Sequence, residues 1–441
     1  MLDRAGLAPL LRDPRVRRLL AANTLGSIGS GVTIFSVPWI LVHREGGSQA
    51  YLWTTIATTL ALFVAAPYYG SWVDRSSRKT ALLTSEAFGF TAMLTMALTG
   101  IALGGFELWQ LMAVYFLGML YYTLHYPAKF AFIQQIFDRS QYQSLTGLLE
   151  IQGQTAMMIA GGLGGLLVEH VPLWAILLFD AGTYLASFLI QSTIPYTATH
   201  LQPKAGAAAA AGPVTEAVAA TPAGARLAPV PAMKPASPWS GVAAGWHWLR
   251  ERPQLNIFLT CALIPFIIVM AGNYLFPIYV SQTLQASARW FAGGEIAFAV
   301  GAIIAGALLP RLVAQRSAFN TIPITMVAFG LGLLIVVTCR FPLAFLAASL
   351  LLGFGNSGSR VARNALMLHL VPNTLMGRVG GYFAVLDRIL RTLLLFAVGI
   401  SNTYGPPAGY MILLGVLLLA LFGVYRTRSA LRDAHASVAP A

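Results

Sequence analysis

Twelve continuous apolar runs set the limits on what this chain can become: about 19–41, 51–71, 80–102, 108–127, 145–168, 173–194, 254–280, 290–310, 320–339, 343–362, 380–401 and 408–425. A helix crossing a bilayer core needs ~20 apolar residues. In lipid every backbone polar group must be satisfied internally, which leaves helices and closed barrels. The runs are continuous rather than alternating, so they predict helices and an all-α membrane protein. Charge agrees: only 10% of the 441 residues are charged, against roughly 25% in soluble domains. The net charge of +13 does not point to nucleic acid, because the bases fall in short clusters between apolar runs, as membrane topology requires. Cys261 and Cys339 both lie inside apolar runs, which excludes a disulfide framework or a Cys-rich metal site. Arg12, Arg15, Arg17 and Arg18 precede a run too long for a signal peptide, so the first segment is expected to stay in the mature protein.

Orientation follows from the short connections. One alternating set holds Arg12 to Arg18, Arg75, Arg78, Lys79, Arg139, Arg250, Arg252, Arg311, Arg316, Arg378, Arg426 and Arg428; the other holds Arg44, Arg289 and Arg340. The first set is expected to be cytoplasmic, with both termini. Residues 197–238 are rich in Ala, Pro and Gly, a composition that cannot pack a core and reads as a disordered cytoplasmic linker. It divides the chain into an N-terminal six-helix bundle (1–196) and a C-terminal part (239–441). That second part opens on an amphipathic stretch, Trp239 to Glu251, expected to lie at the membrane interface.

The halves resemble each other. Ala128-Lys129-Phe130-Ala131 aligns with Ala362-Arg363-Asn364-Ala365 at an offset of 234, and Arg75 with Arg311 at 236. Leu11-Arg12-Asp13 before the first run parallels Leu249-Arg250-Glu251 before the seventh. A duplicated unit with an even number of spans keeps both copies in one orientation.

Gly70, Asp74, Arg75, Arg78 and Lys79, after the second run, fit every fixed position of Gly-x-x-x-Asp-Arg-x-x-Arg-Lys. In that place the pattern resembles the major facilitator superfamily. Pro127-Ala128-Lys129, Asp180-Ala181 and Val371-Pro372 leading to Gly377-Arg378-Val379 resemble its bacterial siderophore and macrolide exporters. Pro127-Ala128-Lys129 with Gly147-Leu148-Leu149-Glu150 is also similar to lysophospholipid transporters. The resemblance implies two six-helix bundles, a cavity lined by spans 1, 4, 7 and 10, and a cytoplasmic gate. Asp74 would meet the start of span 11 at Gly380 and Gly381, while Arg75, Arg78 and Lys79 hold the loop to its own bundle. Pro310 replaces the acid in the second copy of the motif, span 1 has no acid near Ser30, span 4 lacks a buried Arg, and Gly161 to Gly165 lacks the proline of the antiporter signature. These departures weigh against proton coupling more than against transport.

Ionisable residues inside spans are costly and default to function. Glu150, Asp180, Glu295, Asp387 and Arg391 are the proton-coupling candidates. Mutual neutralisation competes for Asp387 and Arg391, which are four residues apart, and a structural role competes for Asp180. Asn23, Ser27, Thr33, Tyr122, His125, Asn273, Tyr274 and Asn356 are the candidate cavity residues; for His125 a packing role competes. Gly353, Gly355 and Gly358 lie in an apolar run rather than after a strand, and read as helix packing, not a nucleotide site. No zinc-protease, Walker or Gly-x-Ser-x-Gly pattern occurs. The expectation is a monomeric secondary transporter of the bacterial inner membrane, not an enzyme, without cofactor. It would work by alternating access and export a small amphipathic molecule, a siderophore or drug, against inward protons. A lysophospholipid flippase and a non-transporting membrane sensor are the alternatives.

Overall fold

The computed structural model describes residues 11–137, 142–196, 238–372, 375–401 and 404–436. These residues form thirteen α-helices and no strand. The first six are α1 (Pro14–Val42), α2 (Gly47–Arg75), α3 (Arg78–Ala102), α4 (Leu108–Ile136), α5 (Tyr142–Leu167) and α6 (Leu173–Ser192). After the interval 197–237, where the expected linker lies outside the described residues, come α7 (Pro238–Arg250), α8 (Pro253–Ile278), α9 (Ala288–Arg316), α10 (Ala318–Thr338), α11 (Pro342–Leu370), α12 (Met376–Ser401) and α13 (Pro406–Ala436). Among the described residues, seven helices are long and apolar enough to cross a membrane by length and composition: α1, α3, α6, α8 with its last turn, α9, α10 and α13.

Several helices outrun the apolar segments that announced them. α1 begins at Pro14 rather than near residue 19, because Asp13 caps it: its Oδ1 accepts from the Arg15 amide at 2.7 Å. Pro at the first helical position loses no hydrogen bond. α4 starts in a capping box, with the Gln110 side chain accepting from the Glu107 amide at 2.7 Å, and continues past Pro127 to Ile136. Lys129 therefore stands inside a helix, not after it. The charged connection Gly70 to Lys79 is corrected most. α2 runs through Arg75 and α3 starts at Arg78, so the break is only Ser76-Ser77. Ser77 stops and restarts the chain: its hydroxyl accepts from the Thr80 amide at 3.4 Å. A Ser at that position is a stronger boundary signal than Gly70.

The two sets of six helices repeat their neighbours. α1 packs on α5 and α6, as α8 packs on α12 and α13; α3 packs on α4 and α6, as α10 packs on α11 and α13; α2 packs on α4, as α9 packs on α11. Across the sets, α5 packs on α9 and α2 on α12. Small residues make these approaches possible. A Cβ on Gly165 would run into Ala292 of α9, and one on Gly164 into Phe35 of α1. Gly353 faces the Phe298 backbone of α9, whereas Gly355 and Gly358 face Thr325 and Phe329 of α10. The glycine triplet thus seats α11 between two neighbours, the packing role its setting predicts. α7 lies on the start of α12, with Gly245 against the Arg378 carbonyl and the Trp246 and Tyr382 rings 5.6 Å apart.

Candidate substrate and proton site

One end of the molecule is closed across the two sets. The Tyr51 and Tyr274 rings lie 5.4 Å apart. Tyr51 donates to the Asn273 carbonyl at 3.3 Å, and Tyr274 to the Ser48 carbonyl at 3.4 Å. Gln282 donates to the Ser48 hydroxyl at 3.2 Å, Ser281 pairs with His43 at 3.0 Å, and Glu169 accepts from the Ala288 amide at 2.8 Å. Phe35 and Trp39 of α1 meet Phe291 of α9, with centroids 5.3 and 5.7 Å apart. A π-helical turn, Tyr279–Thr283, carries Ser281 and Gln282 to these contacts. Tyr274, expected in the cavity, belongs instead to this closure: it is buried and spent on α2. Asn273 contributes its carbonyl here and also edges an apolar pocket of about 150 Å³ with Glu295 and Tyr410.

Toward the opposite end, where α3 and α12 begin and α4 and α11 finish, the molecule holds two adjoining cavities. The first, about 260 Å³, is lined from α1 by Asn23, Ser27 and Ser30, from α4 by Tyr122, His125 and Lys129, from α5 by Gln152, and from α11 by Arg360. Four of the expected cavity residues (Asn23, Ser27, Tyr122 and His125) meet there. Glu86 of α3, absent from the sequence expectations, forms its floor. It is fully buried, and its Oε1 accepts from Ser187 and from Gln191 of α6, each at 2.8 Å. Tyr121 donates to Oε2 at 3.4 Å. His125 Nδ1 lies 3.4 Å from Oε1 and 3.3 Å from the Ser85 hydroxyl. Ser85 gives its own hydrogen to the Leu82 carbonyl at 2.6 Å. When Glu86 is ionised both neighbours of Nδ1 present lone pairs, which favours the tautomer with the hydrogen on Nδ1. The signal for Glu86 was available: an acid in the third apolar run, and Ser187 with Gln191 four residues apart on one face of the sixth.

Asp180 sits beside this site rather than in it. Thr33 of α1 donates to its Oδ2 at 2.6 Å, while Oδ1 is buried without a protein partner. Thr33, expected on the cavity wall, faces this small void together with Tyr122 and Tyr184. Ser30 and Tyr122, 2.8 Å apart, separate the void from the cavity.

The second cavity, about 430 Å³, lies between α8, α11 and α12. Asn356, expected there, lines it with Phe266, Arg360, Arg363, Gly380, Phe383 and Asp387. Arg391 and Asp387 form the anticipated pair at 2.6 Å, with Arg388 3.9 Å from the same carboxylate oxygen. Glu295, in α9, faces α5 at Gly161 and opens on neither of these two cavities. The side chain of Glu150 lies outside the described placements, as do those of Asp74 and Arg75 and the surroundings of Gly70.

Arg78 and Lys79, expected at a gate, are tied within the first set. Arg78 donates to the Ala131 carbonyl at 3.0 Å, and Lys79 to the Ser192 and Ile194 carbonyls at 2.6 and 2.8 Å. Gly380 opens on the second cavity and Gly381 faces Val242 of α7.

Duplicated helical sets, apolar helices long enough to span lipid, and polar cavities facing one end define a membrane transporter rather than an enzyme. The chain belongs to the Major Facilitator Superfamily, whose family model matches residues 19–395. It is 22% identical over 427 residues to the multidrug efflux pump Tap of Mycolicibacterium fortuitum, covering 95% of this chain and 96% of that protein. It is 26% identical over 191 residues to the uncharacterized MFS-type transporter YfiS of Bacillus subtilis, but there the match spans only 44% of the relative's length. Among solved structures it resembles a bacterial homologue of the iron transporter ferroportin in an inward-facing state, with a TM-score of 0.66 at 16% identity over 94% of this chain and 98% of the other.

Proposed function

We propose that the chain is a secondary transporter that exports small amphipathic molecules by alternating access, with twelve crossing helices, both termini in the cytoplasm and a place in the bacterial inner membrane. The observation that carries this reading is the asymmetry of the two ends. Cross-set contacts close the end at Ser48, Tyr51, Tyr274 and Gln282, while both polar cavities face the end where α3 and α12 begin. In the orientation proposed, this arrangement corresponds to an inward-open state, in which cargo would enter from the cytoplasm. The full-length likeness to a multidrug efflux pump supports export. Rocking the sets about the α5–α9 and α2–α12 contacts would close the cavities and open the other end.

Protons are the coupling ion in this reading, and Glu86 is the carrier. Its carboxylate is buried at the cavity floor, and His125 connects it to the cavity. Ser187, Gln191 and Tyr121 would stabilise the charged form, and protonation from the cavity would weaken these bonds while leaving one oxygen to accept them. Inverted membrane vesicles provide the test. Acidifying the lumen should drive dye uptake that a protonophore abolishes. Uptake indifferent to the protonophore would remove proton coupling, and the absence of uptake for a broad dye panel would remove export.

A further inference from the structure

The second cavity has a charge that the proposed transport does not by itself require. Two arginines, Arg360 and Arg363, line it with one acid, Asp387, whose carboxylate is also approached by Arg388 and Arg391 of α12. That acid is engaged through Oδ2 with Arg391 at 2.6 Å and lies 3.9 Å from Arg388, while its Oδ1 is buried without a hydrogen-bond partner in the protein. Arg363 is attracted by the same carboxylate but makes no such bond: its Nε and Nη1 are buried and neither meets an acceptor in the protein. A guanidinium inside a membrane helix is expensive, and unmade charged hydrogen bonds add to the cost. The Phe383 ring lies 5.9 Å below the Arg363 guanidinium, and Phe266 lines the same space. The sequence duplication adds an independent observation. Arg363 occupies the position in α11 that Lys129 occupies in α4. Each cation lines the cavity of its own set, and Arg360 lines both cavities.

We infer that the exported molecule carries an anionic group, carboxylate, sulfonate or phosphate, which docks on Arg363 and Arg360 while an apolar body lies against Phe266 and Phe383. A planar guanidinium whose Nε and Nη1 both lack acceptors suits the oxygens of an anion. The inference rests on the transporter reading and names its substrate class. Because it is tested by binding, it can fail while transport stands, and transport can fail in vesicles while it stands.

The experiment uses the full chain in nanodiscs of zwitterionic lipid, with quenching of its tryptophans as readout. The probes are 4-nitrobenzoate, 4-nitrobenzylammonium and a bromine-labelled lysophosphatidylglycerol. The wild type should bind at least one anionic probe more tightly than the cation. Arg363→Gln should weaken that binding about tenfold, the scale of a lost charge-assisted contact, and leave the cation unaffected; Arg363→Lys should recover part of the loss. Asn364→Asp, on the cavity edge, adds a repelling charge without emptying a buried position and should also weaken the anion. It keeps the inference testable if Arg363→Gln does not fold. Binding of nitrobenzoate identifies a free organic anion as cargo; binding of the lysolipid alone identifies a lipid headgroup. Preference for the cation, or anion binding unmoved by Arg363→Gln and Asn364→Asp alike, overturns the inference.

Discussion

His125 Nδ1 stands 3.4 Å from Glu86 Oε1, with the Tyr121 ring stacked on the imidazole at 5.1 Å. The contact joins α3 to α4 at the floor of the first cavity, and Ser187 and Gln191 add α6 to the same carboxylate. Neutralising Glu86 should therefore affect both the proposed proton site and a three-helix junction, and the two effects separate by substitution. Glu86→Gln keeps an acceptor oxygen for Ser187 and Gln191 but cannot titrate. We expect it to fold, to bind substrate, and to lose proton-driven uptake by about tenfold or more, the scale of a typical coupling free energy. Glu86→Ala should in addition lower thermal stability, because it strands buried donors at about 1–3 kcal/mol each. If Glu86→Gln transports with unchanged proton stoichiometry, Asp180 and Glu295 become the carriers to examine in the same way.

The closed end offers a conformational test. Ser48 and Gln282 are hydrogen-bonded at 3.2 Å across the two sets. Replacing both with cysteine should give a pair that crosslinks readily and holds that end shut. Transport should stop on oxidation and return on reduction, since the proposed alternating access requires these contacts to break. Tyr51→Phe removes one cross-set hydrogen bond worth about 1 kcal/mol and should raise the outward-open population roughly fivefold, read from labelling of a cysteine at Ser48. Transport that survives full crosslinking would rule out rocking of the two sets.

The fold was legible in the sequence where lipid dictates chemistry. The apolar runs, the internal offset of 234 and the glycine triplet at 353, 355 and 358 each became a helix, a repeated neighbour pattern or a close packing contact. Helix ends were less legible, because hydropathy sees only the part of a helix that lies in the core. Asp13, Ser77 and Glu107 are the capping signals that would have placed three of them. The site was half legible. Asn23, Ser27, Tyr122 and His125 converge as expected, but Tyr274 and Thr33 turn to other faces. Rotation about a helix axis is hard to read when the helix is apolar all round, and α8 is such a helix. Arg363 was visible only as the repeat partner of Lys129; its excess charge needed the third dimension.

The α5–α9 contact is built from glycine, and its tolerance can be measured. A side chain at Gly165 would collide with Ala292 and with the Ala288 carbonyl. Gly165→Val should force the helices apart at an overpacking cost of about 1–3 kcal/mol, seen as a lower melting temperature and weaker crosslinking of the closed end. Gly182, where an added methyl meets nothing, is the matched control, and Gly182→Ala should behave as wild type. Equal behaviour of the two variants would mean that α5 and α9 do not bear the closure.

Asp13 supplies the pH-dependent prediction that lies outside the spans. Its carboxylate caps α1 and pairs with Arg15 at 2.8 Å, while Arg15 also donates to the Ile136 carbonyl at 2.9 Å and so ties α1 to the end of α4. The hydrogen bond from the Arg15 side chain holds the Asp13 pKa below its ordinary value. A carboxyl whose pKa is depressed on folding stabilises the protein above its unfolded pKa of ~3.9, and that contribution disappears as pH falls through the lower folded value. Asp13→Asn retains capping ability but loses the charge; Asp13→Ala loses both, at about 1 kcal/mol for the cap. At pH 7 the melting temperatures should rank wild type, Asp13→Asn, Asp13→Ala. The gap between wild type and Asp13→Asn should be small, because the pair is partly exposed, and should close below about pH 3. The gap between Asp13→Asn and Asp13→Ala should persist there, since an amide caps at any pH. A wild-type advantage over Asp13→Asn that grows in acid would reverse the sign of this linkage and exclude the Arg15 pair as its source.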